Sequence, residues 1–404
     1  MSWPVIALED LCHTVTKGTT PTSIGYNFAS EGIPFLRIQN LKGNSVDLED
    51  VLYIDSSTHQ ALKRSMIKAG DLLITIAGTI GRTAIVPSHF PDCNCNQAVA
   101  IIRFDTEKLL PLYLLYWLNS VDAKSQIAGK KVTATISNLS LGQIKNLKIP
   151  LPPLETQKQI AAVLEKADQL RKDCQQMEQE LNSLAQSVFI DMFGDPLINP
   201  KGWQPRTLNE FYASKKTGTK CGPFGSALKK EEFIDSGVPV WNMSNISLTG
   251  EFIDNPTLWI TEDKYKELES YEVLQGDVII SRAGTVGKMG VVSSEYDRSI
   301  ISTNLIRVRF GVDLLPLYFV CLMTYCKTRL KRLKVGDDGS FSHMNTGILD
   351  NIEFPYPPME EQLKYMKFRE HLDIQLSNLN QLKYEQEASF NGIMQKAFKG
   401  ELNL

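Results

Sequence analysis

The side chains best suited to hold a metal ion are the cysteines and histidines, and their closest grouping is His89, Cys93 and Cys95. A zinc site is built from paired, closely spaced Cys and His residues. One Cys-x-Cys with a single nearby histidine lacks the second pair, so we interpret both cysteines as ordinary reduced thiols. His343 lies in a polar segment, and the chain has five histidines, so candidates for a general base are few. The sequence predicts no metal site.

The glycines between Gly284 and Gly290 are the best candidates for a phosphate-binding loop. Such a loop joins a strand to a helix, whereas here the β-rich runs Val278–Ser281 and Met289–Ser293 flank the glycines, so we predict a turn between strands. Asn199-Pro200-Lys201 lacks the aromatic residue expected at a site for extruded adenine. No Phe-x-Gly-x-Gly run indicates a bound methyl donor, and no Glu-x-Lys follows Pro91-Asp92 to indicate a nuclease. We therefore predict a chain without catalytic activity.

Polar loops between apolar strands are the remaining candidates for chemistry. Arg, Lys, Asn and Gln form bidentate bonds with base edges, and Ser, Thr and Lys also contact phosphates. The predicted DNA-contacting residues of the first half are Lys17, Thr19, Arg37, Gln39, Asn40, Arg82, Lys130, Lys131 and Thr133. Those of the second half are Lys220, Asn242, Ser244, Asn245, Arg282, Lys288, Ser340, Ser342, His343 and Asn345. Taken singly, each is better explained as a solvated turn residue than as a DNA contact.

The segment that follows Gly32-Ile33-Pro34 gives the sharpest of these predictions. If it is a strand, Arg37 and Gln39 share one face and Asn40 points to the other. We predict that the face of Arg37 and Gln39 is presented to DNA, and a solvated sheet face is the alternative. Asn242, Ser244 and Asn245 occupy the matching places in the second half.

These loops belong to two halves that repeat at a period of about 205 residues. Gly70-Asp71-Leu72-Leu73-Ile74 returns as Gly276-Asp277-Val278-Ile279-Ile280, and Leu109-Leu110-Pro111-Leu112-Tyr113 returns as Leu314-Leu315-Pro316-Leu317-Tyr318. A period of this length indicates a duplicated domain and excludes a solenoid of short units. Apolar runs predict strands, and a leading proline predicts helices. The predicted strands are Leu72–Ala77, Ala98–Ile102, Val278–Ser281 and Leu305–Phe310, and the predicted helices are Leu110–Leu118 and Leu315–Met323.

Each half ends in a proline pair followed by a long helix with acidic residues in its first turn, which suit the positive end of the helix dipole. Gly194-Asp195-Pro196 is predicted to end the first helix. Apolar residues at heptad spacing predict that the two helices pair with each other, antiparallel, through one seam. The predicted seam comprises Leu170, Cys174, Met177, Leu181, Leu184 and Val188 of the first helix, and Leu372, Leu376, Leu379, Phe390, Ile393 and Ala397 of the second, with Lys383 and Gln386 as polar interruptions.

The bulk composition allows two buried cores and favours a reducing compartment. The chain has 404 residues and a formal net charge of −3, and neither half is broadly basic. The cysteines are scattered, the N-terminus lacks a basic-then-apolar signal, and no apolar run approaches the length of a membrane span. We therefore expect a cytoplasmic protein without a membrane partner. The absence of a basic half slightly favours a second hypothesis, a scaffold with two protein-binding α/β modules and no role in DNA binding.

The proline–Glu–Gln segments resemble the signature that opens the spacer helices in specificity subunits of type I restriction-modification systems. The two copies are Pro152-Pro153-Leu154-Glu155-Thr156-Gln157-Lys158-Gln159-Ile160 and Pro357-Pro358-Met359-Glu360-Glu361-Gln362. The Gly-Asp-Leu-Leu-Ile stretch with the following Ala77-Gly78-Thr79-Ile80-Gly81 also resembles the target recognition domains of that family. The resemblance covers essentially the whole chain.

The resemblance implies an α+β (mixed α/β) fold with two similar target recognition domains, separated by two long antiparallel coiled-coil helices in an internal pseudo-twofold repeat. The expected domains are residues 1–150, a spacer helix at 151–194, residues 195–353 and a second spacer helix at 354–404. It implies a non-catalytic subunit that binds double-stranded DNA with a bipartite target, two adenine methyltransferase subunits and motor-nuclease restriction subunits. It implies no cofactor on this chain, with S-adenosylmethionine, ATP and Mg²⁺ on the partner subunits.

Overall fold

The computed structural model describes residues 3–128, 138–326 and 344–402. The chain divides into two compact units: unit 1 comprises Met1–Gln175 and Asn380–Leu404, and unit 2 comprises Gln176–Leu379. Each unit therefore contains part of both long helices. The predicted domain boundaries at 150, 194 and 353 remain a prediction.

The elements of the first half are short strands with a few helices. The strands are β1 Val5–Ala7, β2 Cys12–Lys17, β3 Ile33–Leu36, β4 Leu41–Lys42, β5 Ser45–Val46, β6 Leu52–Ile54, β7 Met66–Ile67, β8 Leu72–Thr75, β9 Thr83–Ile85, β10 Cys93–Cys95, β11 Val99–Phe104 and β12 Lys148–Pro150. The helices are α1 Ser56–Ala61, α2 Pro111–Asn119, α3 Val121–Ala128, α4 Leu141–Lys145 and the long α5 Leu154–Phe193.

The second half repeats most of this order within the described residues. Its strands are β13 Pro205–Thr207, β14 Thr219–Cys221, β15 Val238–Trp241, β16 Trp259–Ile260, β17 Val278–Ser281, β18 Met289–Val291, β19 Ile300–Ile301, β20 Leu305–Val308 and β21 Glu353–Pro355. Its helices are α6 Glu262–Glu267, α7 Pro316–Cys326, α8 Thr346–Asp350 and the long α9 Met359–Lys399. The predicted strands and helices are confirmed with shifts of at most three residues at their ends, and the glycine-rich segment is the predicted turn between β17 and β18.

The two units share one sheet topology. In unit 1 the strand order is β2-β11-β8-β9, and in unit 2 it is β14-β20-β17-β18. The second sheet pairs β3 with β10 in unit 1 and β15 with β19 in unit 2, parallel in both cases. A helix that begins with proline, α2 or α7, packs its apolar residues into the largest core of its unit. The duplicated α+β fold is therefore confirmed.

A bidentate ion pair is repeated beneath the first sheet of each unit. Arg103 donates from Nε and Nη2 to the Asp71 carboxylate at 2.7 and 2.6 Å. Arg309 makes the same two bonds with Asp277 at 2.8 and 2.7 Å. Both aspartates are buried, with 1% and 2% of their surface exposed. A buried carboxylate persists only when it is paired, which explains why the Gly-Asp motif is repeated.

The glutamine of each proline–Glu–Gln segment joins the long helix to its unit. Gln157 is fully buried; its Oε1 accepts from the Leu110 amide at 2.9 Å and its Nε2 donates to the Pro152 carbonyl at 2.9 Å. Gln362 is also fully buried and makes the matching bonds with Leu315 and Pro357, both at 3.0 Å. The bonds satisfy the amides just before α2 and α7 and the proline carbonyls just before α5 and α9.

The long helices pack against each other in both units. In unit 1, Arg171 of α5 donates to Glu387 of α9 at 2.7 Å and its guanidinium lies 4.4 Å from the centre of the Phe390 ring. In unit 2, the Tyr365 hydroxyl of α9 donates to the Ala185 carbonyl of α5 at 3.4 Å. Unit 1 holds the N-terminal part of α5 with the C-terminal part of α9, and unit 2 holds the reverse. The helices are therefore antiparallel, as predicted.

The predicted seam is correct for α9 but partly wrong for α5. Leu372, Leu376, Leu379, Phe390 and Ala397 are buried, and Ile393, Lys383 and Gln386 are half-buried. On α5, Cys174 is buried and Leu181 and Val188 are half-buried, but Leu170, Met177 and Leu184 are 45%, 49% and 45% exposed. The inward positions are instead Arg171, Glu178 and Ala185, one residue further along. Two of these are charged, so a search for apolar residues selected their neighbours. The helix ends at Phe193 as predicted, and Gly194 follows with φ +80°.

Candidate nucleic-acid interface

Four polar segments of unit 1 meet at one end of its two sheets. We call residues 17–20, 36–40, 76–82 and 95–98 the loop end of unit 1. Backbone hydrogen bonds join these segments. The Thr19 amide donates to the Cys95 carbonyl at 3.1 Å, the Asn96 amide to the Leu36 carbonyl at 3.0 Å, and the Ile76 amide to the Ala98 carbonyl at 2.8 Å. The predicted residues Lys17, Thr19, Arg37, Gln39 and Arg82 are thus brought to one surface.

Unit 2 has the same arrangement, and we call residues 221–224, 241–245, 282–288 and 302–304 its loop end. The backbone amide of Gly222 donates to the Leu305 carbonyl at 2.9 Å, that of Ser302 to the Trp241 carbonyl at 2.8 Å, and that of Arg282 to the Asn304 carbonyl at 2.9 Å. A Cβ at Gly222 would lie 2.0 Å from the Ser302 carbonyl oxygen. A Cβ at the equivalent Gly18 would lie 2.1 Å from the Cys95 carbonyl oxygen, so both turns require glycine.

The corner that follows β3 and β15 is a 3₁₀ turn, so the predicted strand is wrong there. Ile38–Asn40 and Met243–Asn245 form the two turns. Asn40 is 2% exposed and donates to the carbonyls of Asp47 and Asp50, at 3.2 and 3.0 Å. Asn245 is fully buried and donates to the carbonyls of Ile253 and Asn255, both at 3.0 Å. Both asparagines are committed to internal bonds, and we remove them from the DNA-contacting set.

The exposed residues of the two corners differ between the units. In unit 1, Gln39 donates to the Asp50 carboxylate at 2.7 Å, and Arg37 donates to the Asp50 carbonyl at 2.9 Å. In unit 2, the Asn242 side chain accepts from the Ser244 hydroxyl at 2.6 Å and donates to Thr257 at 3.1 Å. One corner therefore carries an arginine and a carboxylate, and the other carries neutral groups.

The remaining predicted cations lie on the adjoining turns. Lys17 and Arg82 are exposed, and Lys288, which is equivalent to Arg82, is half-buried. Arg82 and Lys288 donate their amides to the equivalent hydroxyls of Thr75 and Ser281, at 2.9 and 3.0 Å. These bonds fix the turns and leave the long side chains to reach a ligand.

Two predicted residues have other surroundings. The Lys220 ammonium lies 4.7 Å from the centre of the Tyr271 ring, and the lysine is half-buried. Asn345 is exposed but accepts from the Ile348 amide at 2.9 Å as the N-cap of α8. Six further predicted residues lie outside the described residues: Lys130, Lys131, Thr133, Ser340, Ser342 and His343.

The sequence prediction missed polar residues just before β11 and β20. Gln97 is exposed in the loop end of unit 1 and accepts a hydrogen bond from the Thr20 hydroxyl. Asn304 is exposed at the matching place of unit 2. Phe224, also missed, is 54% exposed beside Arg282. Their position between two apolar strands of one repeat is the signal that would have identified Gln97 and Asn304.

The Cys-x-Cys pair lies in a core and not at a ligand site. Burial raises the pKa of the Cys93 thiol to about 12, and burial raises the pKa of Cys95 further. Both side chains pack in the second apolar cluster of unit 1. Throughout residues 3–128, 138–326 and 344–402, no group of three or more His, Cys, Asp or Glu is placed to hold a metal ion. Within the same ranges, none of the helices is long and apolar enough to cross a membrane.

The outward face of α5 carries apolar side chains at every seventh position. We call Val163, Leu170, Met177 and Leu184 the α5 ridge; their exposed fractions are 38%, 45%, 49% and 45%. Val163 and Leu170 belong to unit 1, and Met177 and Leu184 belong to unit 2. A regular row of exposed apolar residues on a helix is typical of a surface that packs against another helix.

Known proteins match the chain over nearly its whole length. The family described as type I restriction modification DNA specificity domain matches twice, at residues 2–183 and 200–387. The putative type I restriction enzyme MjaX specificity subunit of Methanocaldococcus jannaschii is 25% identical, over 100% of this chain and 94% of the relative. The type I restriction enzyme EcoKI specificity subunit of Escherichia coli K12 is 21% identical, over 98% of this chain and 89% of the relative.

Two solved structures have a similar fold. A chain from a study of complex assembly and conformational transition in the type I R-M system has a TM-score of 0.60 at 19% identity, covering 99% of this chain and 98% of that one. The S subunit of a type I restriction-modification system from M. genitalium has a TM-score of 0.52 at 16% identity, covering 98% and 96%. At these identities the likeness supports the fold alone.

Proposed function

We propose, because the chain belongs to the family of type I restriction-modification DNA specificity domains, that it selects a bipartite DNA target, with one half read by each unit. The specificity subunits of this family are not themselves catalytic and act with DNA and with other subunits of the system. The proposal extends that role to the two loop ends of this chain.

The observation that carries the proposal is the contrast between fixed and varied residues in the repeat. Most of the bonds that shape the two loop ends are equivalent, as Asn40 and Asn245 illustrate. The exposed side chains on that frame differ, as Gln39 and Ser244 illustrate. The two loop ends share a backbone arrangement but expose different side chains. This suits the recognition of two different base sequences, because base edges are distinguished by their pattern of donors and acceptors.

We further propose that the long helices dock two adenine methyltransferase subunits. The exposed apolar side chains of α5 support this, because Val163 and Leu170 in unit 1, and Met177 and Leu184 in unit 2, would each be covered by a partner subunit. Motor-nuclease subunits would join the same complex. S-adenosylmethionine, ATP and Mg²⁺ would be bound by the partner subunits, and the complex would act in the cytoplasm.

Methylation mapping tests the proposed function directly. The chain is co-expressed with its methyltransferase subunit in a host without other adenine methylation, and methylated sites are mapped by long-read sequencing. We expect one bipartite motif, which disappears when the chain is omitted.

Replacing residues 1–150 by those of another family member should change one half of the motif, and replacing residues 195–353 should change the other half. If both halves change in either exchange, the division between units is wrong. If no DNA motif depends on the chain while it still binds protein partners, the scaffold hypothesis replaces the proposal.

A further inference from the structure

A stacked pair of an arginine and an aromatic ring distinguishes the loop end of unit 2. Arg282 directly follows β17, and its guanidinium carbon lies 4.6 Å from the centre of the Phe224 ring. Phe224 is 54% exposed although it is a large apolar side chain, and it directly precedes Gly225, which has φ +59°. A guanidinium over the face of an aromatic ring is attracted by the electrons of that face, so the Phe224 ring restricts where the Arg282 guanidinium can lie.

Both members of this pair are missing from the equivalent places in unit 1. The strand register aligns Ser281 with Thr75, because each is the last residue of its strand and pairs with the next strand at Leu305 or Val99. Arg282 therefore corresponds to Ile76, which is 6% exposed and packs in the core.

The alignment of Gly222 with Gly18 places Phe224 at the position of Thr20, whose hydroxyl bonds to Gln97. The arginine and its ring thus occur together in one repeat, and an apolar and a small polar residue occupy both places in the other. A joint difference of this kind indicates one functional pair rather than two independent surface residues.

The hydrogen bonding of Arg282 is incomplete in the free protein. Its Nη1 is buried and has no hydrogen-bond partner within the described ranges. A buried donor without an acceptor is unfavourable, and a guanidinium has no uncharged form that would relieve it. Because this atom is shielded from solvent, as Arg37 Nε is in unit 1, an acceptor from a ligand reaches it only after neighbouring side chains move.

We propose that Arg282, oriented by Phe224, reads a guanine in the half of the DNA target that unit 2 contacts. Guanine presents two acceptors, O6 and N7, side by side in the major groove, and the planar arginine fork matches both. Stacking on Phe224 fixes the plane of the fork, which matters for a bidentate bond to a base and little for a point contact with a phosphate. This inference rests on the proposed function and deepens it.

The test uses the full chain with its methyltransferase subunit and the motif mapped for the wild type. Arg282→Lys keeps the charge and removes the fork, and Arg282→Ile introduces the residue of unit 1. Phe224→Leu keeps an apolar side chain without a ring face. We measure methylation of duplexes in which each base pair of the motif is substituted in turn.

We expect Arg282→Lys to lower discrimination at one G·C position of one half-site by about tenfold or more, and Phe224→Leu to act at the same position with a smaller effect. The other half of the motif should be unchanged. Arg298→Lys is the matched control, because Arg298 also stacks on a ring of unit 2, that of Tyr265 at 5.8 Å, but is already paired with Glu262 at 2.7 Å. The control should retain the wild-type motif.

Three results would overturn the inference. Uniform weakening on all duplexes by Arg282→Ile, with Arg282→Lys close to wild type, would make the residue a phosphate contact. Relaxation at an A·T position or in both half-sites would remove the guanine assignment. An unchanged motif in Arg282→Ile would leave the pair without a role while the proposed function stands. If the wild type itself shows no motif, the proposed function fails, and the inference fails with it.

Discussion

Unit 1 and unit 2 are most alike where side chains are buried and least alike where the loop ends are exposed. The ion pairs of Asp71 and Asp277 have the same two bonds at nearly the same distances. The exposed corner residues differ in charge, since Arg37 occupies the place of Asn242. A buried polar group tolerates few replacements because its partners must change with it, whereas an exposed group is free to vary.

The difference extends to how each loop end would meet a ligand. In unit 1 the half-buried Arg37 and the exposed Gln39 are held by the carboxylate of Asp50, which lies on a neighbouring loop. In unit 2 the arginine is held by an aromatic ring, and the corner amide and hydroxyl bond to each other. An ion pair with an exposed carboxylate is weak and exchangeable, whereas a stacked guanidinium keeps its plane. The two loop ends therefore present different polar groups to a ligand although their backbone arrangement is similar.

The largest effect is expected from the repeated ion pair. Asp71→Ala and Asp277→Ala each leave a partly buried arginine without its carboxylate, so each should lower the free energy of unfolding of its own unit by about 3 kcal/mol or more. Chemical denaturation monitored by hydrogen exchange in each unit measures both. Asp50→Ala is the control, because its side chain is 78% exposed, and it should change stability by less than about 1 kcal/mol. If either Asp71→Ala or Asp277→Ala leaves the stability of its unit unchanged, the two ion pairs are not equivalent.

Variants at two adjacent residues of α5 test the seam and the ridge separately. Ala185 is fully buried against α9 in unit 2, so Ala185→Asp should lower stability by about 3 kcal/mol, since it buries a charge without a partner. Leu184 is 45% exposed, and Leu184→Asp should leave the melting temperature almost unchanged while it weakens the binding of the methyltransferase subunit. Thermal melting and pull-down measure the two effects. Normal partner binding in Leu184→Asp would exclude the ridge as the docking surface.

The corner residues test whether the exposed differences carry specificity. Gln39→Ala should relax discrimination at one base position of the half-site read by unit 1, at a cost of about 1–3 kcal/mol. Ser244→Ala should affect only the half-site read by unit 2. Binding to matched and single-mismatch duplexes gives the answer. Unchanged discrimination in Gln39→Ala would identify the residue as an ordinary surface glutamine that bonds to Asp50.

The smallest effect is expected from the equivalent cations Arg82 and Lys288. If both contact phosphates, Arg82→Ala and Lys288→Ala should each weaken binding equally for all sequences and lower the slope of log K against log salt by about 1. Fluorescence anisotropy at several salt concentrations measures this slope. A sequence-dependent loss in only one of the variants would show that the two positions have diverged in role as well as in residue type.

The sequence by itself determined the duplication, the order of elements and the face of α9 that is buried. These features depend on local patterns, namely apolar periodicity, proline at the first turn of α2 and α7, and glycine after Phe193. The repeat supplied a second, independent copy of each pattern. Heptad spacing gave the correct seam on α9 because most of its inward residues are apolar.

The tertiary structure alone decided the seam of α5 and the corner of each loop end. Arg171 faces inward because Phe390 and Glu387 accept its guanidinium, and both lie more than two hundred positions away in the sequence. Asn40 is buried because the carbonyls of Asp47 and Asp50, on the loop that folds back over it, satisfy its amide within a 3₁₀ corner. Polar side chains are buried only when remote groups pair with them. Local sequence patterns do not contain those partners, so they cannot distinguish an inward arginine or asparagine from an exposed one.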